Sequence, residues 1–528
     1  MAAILAERGE GAAIRETRSV CPECGDVVAA TLVERGGRLM MAKSCPAHGD
    51  FETLYWSDAD DYRRIMGFQH LPEEGRLRNK VCPSECGPCK EHKGSPLIAL
   101  IDITNRCDLT CPICFSESKL QMEHPVEPTM EQIEGMLAQL KGRGTPERMT
   151  VQYSGGEPTL RDDLPDMIRL ARAMGFGRIE INSHGLRFAT DPGYAQLLKD
   201  AGLTAIGLQF DGLDDEIYRF NRGAKLFAQK QRAIDAARAA GLGIVLVVTL
   251  TKGLNDHEIG DIIRFAAHNR DVIKRVVAQT LTFYGRATQF DVNDMRSTPY
   301  DFMDCLEQQT GGSIKRSDFY PVGAMLPVAE FFEQLTGKKQ DKLYTHPCCN
   351  VATYIYVKPD ESLVPLRELV QVEPILALME RGARAMKASK GLRRSFVKLG
   401  YAGRLLWSAL TEVSNPVFRQ VLFNSLFRGS YDPMADLDDV LMVSCVHHMD
   451  KWNFDVERVE TCSIHFLTAD GNQVPFCSYN TFYRQETERR ISSGAYQSVA
   501  RFAGGAGGGL VQITRTAPAG TAAAVRRG

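Results

Sequence analysis

Cys107, Cys111 and Cys114 stand within eight residues in a C-x₃-C-x₂-C pattern. Three thiolates this close can hold three irons of a four-iron, four-sulfur cluster and leave the fourth iron open. An open metal position binds a substrate or cofactor, whereas a closed one is structural. The loop follows the near-continuous apolar run 96–103, which reads as a strand buried on both faces. Further strands read at 149–153, 178–182, 205–210, 243–250 and 275–281, with helical stretches between them. Thr129 and Gln132 make a capping-box pattern ahead of the apolar stripe Met130, Ile133, Met136, Leu137 and Leu140. Six β/α units in a row predict an α/β fold whose parallel sheet curls into a full or partial barrel, with the cysteine loop at the C-terminal ends of the strands.

Those strand ends carry polar or glycine-rich segments. After the second strand comes Ser154-Gly155-Gly156-Glu157-Pro158, where glycines allow close backbone approach and a carboxylate can accept from an amine. The later ends carry Asn182, Ser183, His184 and Gly185, then Gln209 and Asp211, then Lys252, Gly253 and Asn255. Each is weak alone. Four on successive strand ends behind a three-cysteine loop define a site.

The chain has 15 cysteines, an odd and clustered set that suits metal ligation in a reducing compartment better than disulfides. Cys21-x₂-Cys24 and Cys45-x₂-His48 form two hooks of a zinc-ribbon or rubredoxin-like knuckle, a closed site for mononuclear iron or zinc. Cys82, Cys86 and Cys89 repeat the C-x₃-C-x₂-C spacing on a Pro/Gly loop, as a second cluster or as a zinc knuckle completed by His92. Cys348, Cys349, Cys445, Cys462 and Cys477 are dispersed and form the candidate set for a last cluster, while Cys305 reads as a small buried hydrophobe.

With Gly155, Gly156 and Glu157 behind the first triad, the chain resembles the radical S-adenosylmethionine superfamily over about 97–290. The resemblance implies a partial (β/α)₆ barrel whose open iron binds the amino and carboxylate groups of S-adenosylmethionine. One electron then releases a 5′-deoxyadenosyl radical. It places Gly155–Glu157 along the amino group, Phe115 near the adenine, and Asn182, Ser183 and Asp211 at the ribose and carboxylate. His184 stands where the family often has Asn or Thr.

The flanks, with Cys445, His447, His448 and Asp450 in the tail, resemble the tetraether lipid synthase group, earlier described as pterin methylases, over about 18–490. That likeness implies a rubredoxin-like metal, two auxiliary four-iron clusters and carbon–carbon bond formation on lipid alkyl chains. The alternatives are a radical methylase acting on a reduced pterin or similar heterocycle, and a non-catalytic iron–sulfur electron carrier. The expected regions are a metal-knuckle domain at 1–75, an auxiliary-cluster loop at 76–96, the barrel at 97–310, a helical basic region at 311–430, a C-terminal auxiliary-cluster region at 431–490 and a disordered tail at 491–528.

Arg381, Arg384, Lys387, Lys390, Arg393, Arg394, Lys398 and Arg404 recur with no acid before Thr411, interleaved with Met379, Met386, Leu392, Phe396, Leu399, Leu405, Leu406 and Trp407. Such a segment reads as a surface for membranes or phosphate headgroups, or as a solvated basic helix face. The stretch 406–427 would then line an alkyl tunnel. A net charge of −2 argues against a nucleic-acid partner. No apolar run approaches the ~18 residues of a membrane span, and no secretory signal is visible. The expected location is cytoplasmic, peripheral to the inner face of the membrane, with a flavodoxin or ferredoxin as reductant and a lipid or small molecule as substrate.

Overall fold

In the computed structural model the described residues are 12–70, 96–123, 125–142, 144–340, 342, 344–411, 413, 437–469 and 471–493. Cys82, Cys86, Cys89 and His92 lie outside them, as do 414–436 and the tail from 494.

The N-terminal part is an antiparallel sheet of four strands in chain order: β1 (Ala13–Val20), β2 (Val27–Arg35), β3 (Arg38–Cys45) and β4 (Gly49–Trp56). Its turns carry the two metal hooks, with Gly25 and Gly49 at positive φ just after each. A β-hairpin turn needs that conformation and glycine adopts it without cost.

Six parallel strands follow: β5 (Ile98–Thr104), β6 (Thr150–Gly155), β7 (Arg178–Ser183), β8 (Ala205–Gln209), β9 (Gly243–Leu250) and β10 (Ile273–Thr280), hydrogen-bonded in that order. They agree with the sequence-based expectation within two residues at every end. Ala99, Ile101 and Ile103 of β5 pack against Ile133, Met136, Leu137 and Leu140 of the helix Met130–Lys141, the predicted apolar stripe. The capping box forms: Gln132 N donates to Thr129 Oγ1 at 3.2 Å, and Thr129 N donates to Gln132 Oε1 at 2.9 Å. The opposite face of β5 carries Leu100, which meets Phe466, Val474, Phe476 and Tyr479 from the end of the chain.

That last contact belongs to an unexpected extension. Among the described residues the sheet has twelve strands. Beyond β10 come β11 (Tyr320–Pro321), β12 (Asn350–Val357), β13 (Leu363–Pro365) and β14 (Val440–Val446), with β14 parallel to β10. At the other edge β15 (Ile464–Leu467) runs parallel to β5 and pairs with β16 (Gln473–Pro475). One C-terminal segment thus supplies a strand to each edge of the six-stranded unit. A bare edge invites foreign pairing, and both edges are covered here.

Candidate active site and metal centres

Between β5 and the helix at 130 the chain makes the loop that holds Cys107, Cys111 and Cys114. Other strand ends fasten it. Arg286, just beyond β10, donates from Nε to Cys111 O at 2.6 Å and from both Nη atoms to Ser118 O at 3.1 Å, while its backbone N donates to Cys114 O at 3.1 Å. Gly285 has φ +48°, and a Cβ there would stand 2.5 Å from Cys114 O. Arg222 donates from Nη1 to Ile113 O at 3.3 Å while Asp211 grips its Nε and Nη2 at 2.6 and 3.0 Å. Sequence reasoning missed both arginines. Their only signal is position after a strand or helix, which many surface arginines share.

Gly155 and Gly156 press on the same loop. A Cβ on Gly155 would stand 2.0 Å from Thr104 O, and one on Gly156 would stand 2.1 Å from Arg106 O. The glycines are therefore required by backbone packing between β6 and the cysteine loop. Glu157 is 1% exposed and turns its carboxylate inward. Its Oε1 accepts from Thr159 N, Thr159 Oγ1 and Ser183 Oγ, and its Oε2 accepts from His184 N. The Glu157 carboxylate thus accepts four hydrogen bonds from Thr159, Ser183 and His184. Asp211 is likewise fully buried and engaged by Arg222, and Ser183 by Glu157. Asn182 is half-buried on the inner face of the sheet, with Nδ2 3.5 Å from Gln152 Oε1.

The inner face around Asn182 is polar and partly accessible. Gln152, Asn182, Gln209, Arg275 and Gln279 are half-buried there. Gln152 donates to Glu180 Oε2 at 2.8 Å and Arg275 donates to Glu180 Oε1 at 2.7 Å. Gln209 accepts from the buried Lys230 Nζ at 2.7 Å, and its own Nε2 has no partner among the described residues.

Burial pushes up the thiols of Cys107 and Cys111. A buried thiolate needs a positive partner, and iron is one, so the donor set fits the cluster that the spacing implies. Among the described residues the three sulfurs do not gather within 4.8 Å of one another, as expected of ligands to different irons rather than to one ion. The N-terminal hooks are the opposite case. The Sγ atoms of Cys21, Cys24 and Cys45 and a ring nitrogen of His48 all lie within 4.8 Å. Cys24 and Cys45 sulfurs are 3.9 Å apart, and His48 Nδ1 is 3.6 Å from Cys21 Sγ and 3.5 Å from Cys45 Sγ. A tetrahedral ion with ordinary zinc–sulfur and zinc–nitrogen bonds has ligand–ligand edges of about 3.5–3.8 Å. The site fits one ion. His48 leads the contacts that hold the Cys45 thiol down to about 6, whereas the Cys24 thiol is pushed up to about 11 against the Asp26 backbone contact that lowers it.

The dispersed cysteines divide. Cys349, Cys462 and Cys477 are mutual electrostatic neighbours, and the fully buried guanidinium of Arg458 faces Cys348, Cys349 and Cys477, its Nε donating to Cys349 Sγ at 3.5 Å. Burial pushes Cys477 up to about 11, with Arg458 opposing it. His447 Nδ1, His448 Nε2 and Arg458 Nη1 nearby are buried with no partner among the described residues. Cys445 is elsewhere. It faces the main core from β14, and Cys348 packs toward Met66 Sδ at 3.8 Å. Cys445 lies on the strand Val440–Val446, whereas Cys348 and Cys349 share the short turn Pro347–Cys349. Between Arg458 and the first cysteine loop stands an aromatic layer: Phe115 meets Tyr284 at 5.5 Å and Phe476 at 6.4 Å, and His448 stacks on Phe476 at 4.2 Å.

Comparison with known proteins follows the same division. Residues 101–266 match the radical SAM superfamily, and residues 13–57 match the HMPTM N-terminal zinc ribbon domain. The chain is 37% identical over 488 residues to the 7,8-dihydro-6-hydroxymethylpterin dimethyltransferase of Methanocaldococcus jannaschii, spanning 90% of this chain and 96% of that protein. It is 31% identical over 183 residues to the probable GTP 3′,8-cyclase of Methanothermobacter marburgensis, spanning 34% of this chain and 57% of the cyclase. The structure of Streptococcus suis SuiB bound to S-adenosylmethionine aligns at 19% identity with a TM-score of 0.33, covering 42% of this chain and 49% of that one.

Proposed function

The chain belongs to the radical S-adenosylmethionine superfamily, with a pterin dimethyltransferase as a relative over nearly its whole length, and from that premise we propose that it methylates carbon of a reduced pterin or a similar nitrogen heterocycle. It is a radical enzyme that uses a four-iron cluster and S-adenosylmethionine and carries a further metal site in its N-terminal ribbon. The observation that carries the substrate reading is the polar inner face of the barrel. Gln152, Gln209 and Gln279 offer amide donors and acceptors there, and Gln209 Nε2 is unspent. A pterin ring edge presents alternating donors and acceptors, and buried amides discriminate such edges strongly.

In this reading Cys107, Cys111 and Cys114 hold the cluster, which together with S-adenosylmethionine supplies a radical able to abstract hydrogen from carbon. Arg286 and Arg222 fix the cysteine loop by its carbonyls. The backbone at Gly155 and Gly156, rather than the Glu157 carboxylate, faces the amino group, and Asn182 is the open polar side chain for the ribose. Ser183 and Asp211 act through Glu157 and Arg222. Phe115 borders the adenine and, with Tyr284 and Phe476, excludes water from the reacting centre. Cys349, Cys462 and Cys477 hold one auxiliary cluster balanced by Arg458, and Cys82, Cys86 and Cys89 hold another. A flavodoxin or ferredoxin supplies the electron.

The test is anaerobic turnover of the reconstituted protein with dithionite, S-adenosylmethionine and 7,8-dihydro-6-hydroxymethylpterin. The expected products are 5′-deoxyadenosine and methionine from the S-adenosylmethionine that is cleaved with electrons from dithionite, S-adenosylhomocysteine from the S-adenosylmethionine that gives up its methyl, and a pterin heavier by one or two methyl groups. Deoxyadenosine without any change in the pterin would overturn the substrate reading while keeping the radical one. A second reading, coupling of lipid alkyl chains, is favoured by one observation: the apolar and basic helix Gly391–Thr411 stands exposed on the surface. Loss of coupled lipids from a deletion strain is its test.

A further inference from the structure

The helix Gly391–Thr411 packs on the helix Val372–Ala388 through Val397, Tyr401 and Leu405, which join a small core with Ile375, Met379, Ala383, Met386 and Phe331. Gly382 makes the approach close, since a Cβ there would meet Phe331 and Tyr401 at 2.6–2.9 Å. This face accounts for only part of the apolar content. Leu392, Phe396, Leu399, Leu406, Trp407 and Leu410 are 82%, 75%, 74%, 38%, 68% and 57% exposed. Of the ten large hydrophobic residues exposed among the described residues, six are on this one helix. Scattered exposed leucines need no explanation, but a contiguous stripe does.

At 3.6 residues per turn these six side chains fall within about 60° of one line along the helix, opposite the packed face. The shoulders are cationic. Exposed Arg393 and Arg404 lie to one side, half-buried Lys398 on the other donates from Nζ to Leu335 O at 3.0 Å, and exposed Arg381, Arg384, Lys387 and Lys390 lead into the helix. No acid occurs from Arg381 to Thr411. No helix among the described residues is long and apolar enough to cross a membrane. An apolar stripe with basic shoulders, about 30 Å long and carrying a tryptophan, matches a helix that lies in the plane of a bilayer interface.

We propose that the helix Gly391–Thr411 docks the protein on an anionic lipid bilayer, with Leu392, Phe396, Leu399, Trp407 and Leu410 inserted at the headgroup–acyl boundary and Arg393 and Arg404 on lipid phosphates. The charge pattern selects this occupant. A second copy would bring the same cations together, and like charges repel. The same repulsion does not apply to segment 414–436 folding back, which the experiment separates. The proposal is independent of which carbon skeleton the enzyme modifies.

The test uses the full-length, metal-loaded protein with vesicles of phosphatidylcholine alone and of phosphatidylcholine mixed with phosphatidylglycerol. Co-sedimentation is expected with the mixed vesicles only, weakening as salt rises, with a blue shift of tryptophan emission. Phe396→Ser with Trp407→Ser should weaken binding at least about tenfold and remove the shift, and Arg393→Gln with Arg404→Gln should weaken it and flatten the salt dependence. Cleavage of S-adenosylmethionine in detergent-free solution should be unchanged in all variants, which reports that they fold. Absence of binding, binding indifferent to these substitutions, a dimer that the apolar variants dissolve, or a Trp407 shielded from acrylamide without vesicles would each overturn the proposal.

Discussion

His184 bridges two carboxylates from different parts of the site. Its Nε2 lies 2.6 Å from Asp108 Oδ1, inside the cysteine loop, and 3.2 Å from Glu157 Oε2 at the end of β6. Asp108 is held below the usual carboxylate range, chiefly by that hydrogen bond. A charged hydrogen bond is worth about 1.5–3 kcal/mol, so its loss frees the loop from the end of β6. His184→Ala should lower deoxyadenosine formation about ten- to a hundredfold with iron content unchanged, and His184→Gln should recover part of it. An unaltered rate and an unaltered electron paramagnetic resonance signal of the reduced cluster would remove the bridge from the mechanism. Gly285→Ala tests the other side of the loop. Positive φ and a Cβ 2.5 Å from Cys114 O should destabilise the fold by roughly 1–3 kcal/mol and lower cluster occupancy, read by thermal melting and iron analysis. The cysteines were legible because ligand spacing is local. Arg222, Arg286 and the inward turn of Glu157 were not, because each depends on which strand end lies beside which in space.

The same contrast holds for elements. Strands β5 and β9 could be read because a strand buried on both faces writes a near-continuous apolar run, and β6, β7, β8 and β10 because they alternate with helical stretches. The edge strands β14 and β15 are as apolar, but nothing in their own sequence says that they flank β10 and β5, nearly 170 and more than 360 residues away in the chain. The ribbon β1–β4 was legible through its hooks, and such a small sheet leans on its ion. Cys24→Ser should cost one metal ion per chain, leave deoxyadenosine formation within a few-fold, and speed hydrogen exchange across residues 13–57. The C-terminal helix Arg484–Ser492 carries a pH-dependent element. Glu488 borders a small cavity with Asp102, Asn105 and Arg484. Burial pushes its carboxyl up to about 7, Arg484 opposing. The folded state then binds a proton that the unfolded chain releases near 4.5, so the stability contribution is full below that pH and is lost as pH rises through 7. Glu488→Gln should raise the melting temperature at pH 8, with a gain of up to about 3 kcal/mol, and have little effect at pH 5.

At the scale of the molecule, the ribbon is fastened to the end of the chain rather than to its sequence neighbours. Lys43, 2% exposed, donates from Nζ to Val20 O, Lys451 O and Trp452 O at 2.7 Å each. Asp455 accepts from Arg15, from Thr17 Oγ1 at 2.8 Å and from Tyr55 OH at 2.8 Å. The metal knuckle and the Arg458 pocket therefore share one wall, because Asp455 and Arg458 belong to the same turn around the helix Val456–Glu460. Sequence reading treated these as separate regions, since a buried Asp–Arg pair across 440 residues leaves no periodic trace. Burial alone would push the Asp455 carboxyl up, but Arg15, His346 and Arg458 outweigh it and hold it at about 2. The depressed value means that the carboxylate stabilises the fold above its unfolded value of 3.8 and that this contribution is lost as pH falls toward 2. The shift corresponds to about 2 kcal/mol. Asp455→Asn should therefore cost at least about 2 kcal/mol near pH 7, where it also leaves Arg15 without its partner. The difference from the unaltered protein should shrink between pH 4 and 2. Because loss of the ribbon metal at low pH affects both proteins alike, the difference isolates the carboxylate. A stability gap that stays constant across that range would mean that packing around Asp455, rather than its charge, joins the ribbon to the body.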